Sequence, residues 1–166
     1  MNLPTPESER VISLRPSSAA DEKFLLKLYE STRSEEMALV PWDDEQRRAF
    51  VQMQFTAQQE HYRKYHPAAT RDIILENNRP VGHLYVDRLD QEIKIVDFIV
   101  LPVERNSGIG SYLMSGILAE AAELGKRVGI YVETFNPSLR FFERLGFRET
   151  EQAGVHVYLE WSPGAP

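Results

Sequence analysis

The residues with the most chemical potential lie close together, in Asp97-Phe-Ile-Val-Leu-Pro-Val-Glu-Arg105-Asn-Ser-Gly108-Ile-Gly110-Ser-Tyr-Leu113. An apolar run ends at Leu101-Pro102, an arginine follows, and Gly108 and Gly110 then open a stretch of helical periodicity. Glycine lets a ligand come close to the backbone, and a helix start offers unpaired N–H groups and a partial positive charge. The combination describes an anion site suited to a phosphate or pyrophosphate, although a tight strand-to-helix turn that binds nothing has the same spacing. Two familiar phosphate motifs do not fit. The dinucleotide fingerprint needs a third glycine where Leu113 stands, and the nucleotide-triphosphate loop needs Gly-Lys-Ser/Thr where Ser111 and Tyr112 follow Gly110.

Acid–base candidates flank this stretch. Asp97 interrupts the run Ile95-Val-Asp-Phe-Ile99, and Glu133 sits near the end of a later alternating run, with Glu92 and Asp87 as further carboxylates. A carboxylate so placed can take a proton from a nucleophile, or can simply be a solvated group on a half-exposed sheet. His83 and Tyr85 share one face of their strand, as do His156 and Tyr158. Either histidine could serve as a base or as a structural group, and the four histidines lack the spacing of a metal site. Trp42, in Leu39-Val-Pro-Trp42, suits either a substrate surface or a core anchor. The chain has no cysteine, which excludes a disulfide framework, a thiolate zinc site and a cysteine nucleophile, and is compatible with the cytoplasm.

These groups need a scaffold. The 166 residues suit one domain, with 42% apolar and 27% charged residues in an ordinary globular balance. A net charge of −6 disfavours broad nucleic-acid binding. No run approaches the roughly 18 apolar residues of a membrane span, and the first residues carry no secretory pattern. Residues 1–9 read as a flexible leader, 10–161 as the domain and 162–166 as a flexible tail. Val11-Ile-Ser-Leu14 reads as a strand stopped by Pro16. A helix follows with Phe24, Leu25, Leu28 and Tyr29 at helical spacing, then a long one capped by Asp43 or Asp44 that ends before Pro67. Asp72–Glu76, Val81–Leu89 and Glu92–Leu101 read as an antiparallel meander on short turns. The period then changes to a helix over Gly108–Gly125, an alternating strand over Val128–Thr134, a helix capped by Asn136-Pro137 and stopped by Gly146, and a last strand over Val155–Trp161. Phe147-Arg148-Glu149 is marked as the start of an additional strand. The class is α+β with one mixed sheet.

Arg105-x-x-Gly108-x-Gly110 after a strand ending in Leu-Pro resembles the acetyl-CoA loop of the GNAT N-acetyltransferase superfamily, and Asn136-Pro-Ser-Leu-Arg-Phe-Phe-Glu-Arg-Leu-Gly-Phe147 resembles that family's second signature. The two stand in the family's order and the element order matches from about residue 10 to residue 161. The resemblance implies a splayed central sheet flanked by about four helices and acetyl-CoA as co-substrate. It places pantetheine along the backbone of Phe98, Ile99 and Val100, pyrophosphate on the amides of Arg105, Asn106, Ser107, Gly108, Ile109, Gly110 and Ser111, and Asn136 against the pantetheine arm. It further implies transfer of acetyl to a small-molecule or peptide amine, with Asp97 or Glu133 as base and Trp42, His83 and Tyr85 towards the acceptor. The family often has a tyrosine, the acid for the leaving thiolate, where this chain has Phe142; the phenyl ring is then expected along the thioester, with Tyr131, Tyr112 or water as the substitute proton donor. Nucleic acid and membrane are not expected partners, and a homodimer is left open. A non-catalytic acyl-CoA-binding or sensing module is the alternative reading, and a structural domain without cofactor is a third.

Overall fold

The computed structural model describes residues 10–164. The expected leader and the last two residues of the expected tail lie outside the described residues. Strand β1 (Ile12–Pro16) leads through a single 3₁₀ turn (Ala19–Asp21) into helices α1 (Glu22–Ala38) and α2 (Asp44–Tyr65). The meander follows as β2 (Thr70–Glu76), β3 (Arg79–Arg88) and β4 (Glu92–Val100), then α3 (Ile109–Leu124), β5 (Arg127–Glu133), α4 (Ser138–Arg144), β6 (Arg148–Ala153) and β7 (His156–Trp161). All seven strands join one sheet in the order β1-β2-β3-β4-β5-β7-β6.

Neighbouring strands run antiparallel except β4 and β5, which are parallel. That pair is joined only from Glu92↔Arg127 to Ile95↔Ile130, although β4 continues to Val100 and β5 to Glu133. Beyond this point the two strands part and leave a fork in the sheet. The cause lies on the other edge of β4. Tyr85 opposes Asp97 and Val86 opposes Ile95, so Val96 is an extra residue without a partner in β3. Such a bulge bends its strand, raises the local twist and shifts the side-chain alternation by one. Before it, Ile93 and Ile95 enter the apolar layer under α3 and α4; after it, Phe98 and Val100 do so, while Ile99 packs towards α1 and α2.

The sheet therefore separates two cores. The larger holds Met114, Ile117, Phe142 and Phe147 against β3, β4, β5 and β7, and the smaller holds Leu28, Tyr29, Val51 and Phe55 against Ile73 and Leu75. Burying a side chain such as Leu28, which is 0% exposed, contributes roughly 1.5–3 kcal/mol. Helix starts are fixed by carboxylates. Asp43 accepts from the Gln46 amide at 2.8 Å while Gln46 returns a bond to the Asp43 amide, the reciprocal cap expected at this position. Asp21 accepts from the Ser18 amide and from two nitrogens of Arg15 at 2.8–2.9 Å.

One element departs from expectation. The residues marked only as a strand start continue to Ala153 as an edge strand, and all six of its residues are exposed. Arg148-Glu-Thr-Glu-Gln-Ala153 has no apolar alternation, because neither face meets a core. Its polar, charged character also protects an open edge from pairing with other chains.

Asp21 yields a stability prediction. The Arg15 guanidinium, followed by the Ser18 amide, holds its carboxyl down at about 2 against opposing burial. A carboxyl lower in the folded than in the unfolded chain stabilises fully above the unfolded value of about 3.9, and that contribution disappears as pH falls through the folded one. Asp21→Asn should cost about 0.5–2 kcal/mol near neutrality, the scale of a lost cap. In thermal melts the gap between variant and parent should narrow between about pH 4 and pH 2.

Candidate active site

The fork opens on the loop before α3. Gly108 stands at φ 91°, in the left-handed region, which turns the chain from the loop into the helix. A Cβ at Gly110 would lie 3.2 Å from the Phe141 ring and 3.6 Å from the Phe98 ring, so the chain is tightly walled there. Among the described residues, the amides from Asn106 to Ser111 have no backbone partner. Unpaired N–H groups on a helix start, with the Arg10 guanidinium beside Gly108, fit a pyrophosphate. The nearby cations brace the loop. Arg10 donates to the Ser107 carbonyl, to Ser107 Oγ at 2.8 Å and to Glu76 at 2.7 Å. Arg79 donates to Glu104 at 2.7 Å, and Arg105 turns back to donate to the Val100 carbonyl at 3.2 Å.

The far side of the fork ends at Asn136. Its Oδ1 accepts from the amide of Ser138, the first residue of α4, at 2.9 Å, and among the described residues its Nδ2 has no hydrogen-bond partner. Phe142 requires a correction. It is 2% exposed and packs edge-on to Phe141 and Phe147, so its ring belongs to the core rather than to a thioester surface. The neighbouring Phe141 is the ring that reaches Gly110.

On the other face of the sheet the bulge turns Asp97 towards α1 and α2. Its Oδ1 accepts from the Phe98 amide at 3.1 Å and its Oδ2 lies 2.8 Å from His83 Nε2. His83 and Tyr85 also need correction. They are 2% and 1% exposed, stacked 4.5 Å apart, and lie behind Asp97 rather than on an acceptor surface. Tyr62 of α2 packs edge-on against Tyr85 at 5.9 Å. Burial, and then the Asp97 charge, push the Tyr85 phenol up to about 12 and also raise that of Tyr62. Both phenols stay protonated near neutrality and so are not the proton acceptors of this face. Glu133 is the second carboxylate, held loosely by Arg33 of α1 at 3.8 Å and by His156 at 3.9 Å. Arg33 lies over the Tyr29 ring, 5.3 Å from its centre. Tyr131, on β5 just past the last β4–β5 pair, packs 4.5 Å from Tyr158 beneath the Lys94 ammonium. Trp42 packs edge-on against Phe50 at 5.1 Å and stays 37% exposed.

The arrangement is thus an amide-lined anion loop on one side of a forked sheet and a fixed carboxylate on the other. The model of the acetyltransferase (GNAT) family matches residues 25–147. The chain belongs to this family. Acetyl-CoA is accordingly its co-substrate, and the loop described above fits the phosphate-bearing end of that molecule. No curated protein matches the sequence. Among solved structures it is similar to the PaiA N-acetyltransferase of Thermoplasma acidophilum, crystallised with coenzyme A, at 14% identity and TM-score 0.69 over 92% of this chain and 99% of that one. It is similar to an acetyltransferase of Thermus thermophilus at 18% identity and TM-score 0.63, over 91% and 96% of the two chains. It is also similar to the ribosomal-protein-S18-alanine N-acetyltransferase of Escherichia coli at 14% and 0.61, over 94% and 96%. At these identities the likeness is one of fold: a mixed α+β domain with a splayed sheet and four helices.

Three residues of the site went unnoticed in the sequence. Arg10 is an isolated arginine at the start of a strand, and its contact with Ser107 spans 97 positions. Arg33 and Tyr62 lie on helices whose periodicity gave a buried face but not what that face meets. Substituting valine for Gly108 or Gly110 should remove the rise in melting temperature that acetyl-CoA produces in the parent protein. The first places a β-branched residue at positive φ and the second drives a side chain into Phe141. Differential scanning fluorimetry with and without acetyl-CoA makes the comparison.

Proposed function

We propose that this protein is a cytoplasmic N-acetyltransferase that moves acetyl to a primary amine of a small molecule or a peptide, by direct attack within a ternary complex. The observation that carries this reading is Asp97, a carboxylate held at 2.8 Å by His83 and turned by the bulge to the face opposite the larger core. An acceptor ammonium of ordinary pKa, about 10.4, has to lose a proton before it can attack. Asp97 is the base we assign to that step, directly or through one water, with Glu133 as the next candidate. Bound acetyl-CoA supplies an acyl group already activated as a thioester. On this reading the backbone of Phe98, Ile99 and Val100 lines the pantetheine side of the fork, Asn136 offers its amide donors opposite, and the amides of Asn106 to Ser111 take the phosphates; the Arg105 amide, expected among them, is instead bonded to the Pro102 carbonyl at 3.3 Å. Tyr131, at the fork, is the proton donor we assign to the departing thiolate. Trp42 stands on the α1–α2 connection as an acceptor contact. The Escherichia coli neighbour is a ribosomal-protein-S18-alanine N-acetyltransferase, which supports keeping peptide N-termini in the acceptor class.

The sensing alternative predicts cofactor binding without turnover, so an amine panel assayed for thiol release separates the two. Asp97→Asn should keep the acetyl-CoA-induced thermal shift and lower kcat by about 10²–10⁴-fold, most steeply at low pH where the acceptor most needs deprotonation. An unchanged rate across pH would make Asp97 structural. Initial-rate patterns should intersect, and no acetylated enzyme should be trapped, because the chain has no cysteine to carry the group.

A further inference from the structure

His83 is the buried group that the reading above leaves unused. Its ring is 2% exposed, yet Nδ1 has no hydrogen-bond partner and no contact with solvent among the described residues. Buried polar atoms are seldom left unpaired, and unpaired N–H groups are rarer than unpaired acceptors. An imidazolium would place an unpaired N–H at Nδ1, and so would the tautomer protonated there. The neutral Nε2–H form leaves only a bare lone pair at Nδ1. It also points its single proton at Asp97 Oδ2, 2.8 Å away. Stacking on Tyr85 at 4.5 Å and 19° fixes the plane of the ring.

Resting on the assignment of Asp97 as base, we propose that His83 is a positioning residue for proton abstraction: an Nε2–H donor that fixes the Asp97 carboxylate from behind. With Oδ2 held by His83 and Oδ1 by the Phe98 amide, the carboxylate cannot rotate, and its remaining lone pairs are left for the acceptor. The other groups around this pair are Tyr85 on β3 and Tyr62 on α2, both protonated, Arg71 of β2 over the Tyr85 ring at 5.6 Å from its centre, the more distant charges of Arg63 on α2 and Asp21, and Arg33 of α1 with Glu133 of β5 further along the face. Among them His83 is the one that bonds to Asp97.

Two measurements test this. In side-chain nitrogen NMR of labelled wild-type protein at about pH 7, the His83 proton should sit on Nε2 with Nδ1 bare; an N–H signal at Nδ1 overturns the proposal. In kinetics, His83→Leu should lower kcat about tenfold or more with the KM for acetyl-CoA unchanged. The acid limb of kcat/KM for the amine should move up by about one pH unit, because the charged carboxylate has lost a donor. His83→Gln, which restores an N–H donor, should recover most of the rate and return the limb. Adding His83→Leu to Asp97→Asn should cost little more than Asp97→Asn alone. A wild-type limb in His83→Leu, or multiplicative losses in the double variant, overturns the positioning role while leaving Asp97 as base. If Asp97→Asn alone keeps full rate, the underlying assignment fails instead. Should His83→Leu not fold, the NMR measurement decides.

Discussion

A β-strand in regular pairing alternates its side chains, so Ile93-Lys-Ile95-Val-Asp97 without interruption would turn Asp97 to the side of Ile93 and Ile95. That side is the apolar layer under α3 and α4, where a lone carboxylate is strongly disfavoured. The extra residue Val96 removes the conflict by advancing the alternation one step. It delivers Asp97 to the opposite face and returns Phe98 and Val100 to the large core. The same irregularity bends β4, and beyond Ile95 the ladder to β5 is gone. The fork and the placed carboxylate are therefore two consequences of one unpaired residue. On the proposed reading, that is why the cofactor cleft and the acceptor face meet at the same point of the strand.

Parts of this were readable from the sequence because they rest on local rules. Gly108, Gly110 and Gly125 bracket α3, Asn136-Pro137 starts α4, and the three runs of the meander are separated by turns too short for any other connection. The bulge was not readable, since Val96 is an ordinary strand residue and only its lack of a partner in β3 marks it. Depth was equally hidden. Alternation placed His83 and Tyr85 on a common face correctly, but could not show that Asp97 would cover them. The family signature located Phe142 on α4 without indicating that the helix turns this position inward and Phe141 towards Gly110. The exposed edge strand β6 left no apolar pattern because it buries nothing.

The chain carries a net charge of −6, yet its anion loop is surrounded by arginines. Their pairing shows how the two facts coexist. Arg10 is engaged by Ser107 and Glu76, Arg79 by Glu104, and Arg105 by the Val100 carbonyl. Arg10 and Arg79 are each paired with a carboxylate, while Arg105 meets a neutral carbonyl through Nε and keeps its charge. They brace a loop whose amides from Asn106 to Ser111 have no backbone partner among the described residues, and those amides and the α3 helix start, with the Arg105 charge, provide the attraction. A loop fixed in advance loses less freedom on binding, so rigidity here serves affinity as directly as charge does.

The two ends of the proposed reaction need unequal help with protons, and the structure is unequal in the same sense. An amine acceptor must give up a proton whose ordinary pKa is about 10.4, against a solvent near neutrality. The departing thiolate belongs to a thiol of about 8.5 and leaves readily even before it is protonated. On the acceptor side Asp97 is held by two donors and backed by a stacked, sealed pair of rings. On the thiolate side, position 142 is a phenylalanine turned into the core, and the phenol at the fork, Tyr131, remains 44% exposed. Firm positioning therefore coincides with the step that cannot proceed without a base. The loose side coincides with the step that only gains from an acid. A phenyl ring at position 142 is then compatible with catalysis, and there it adds to the core that keeps α4 and the preceding Asn136 in place beside the fork.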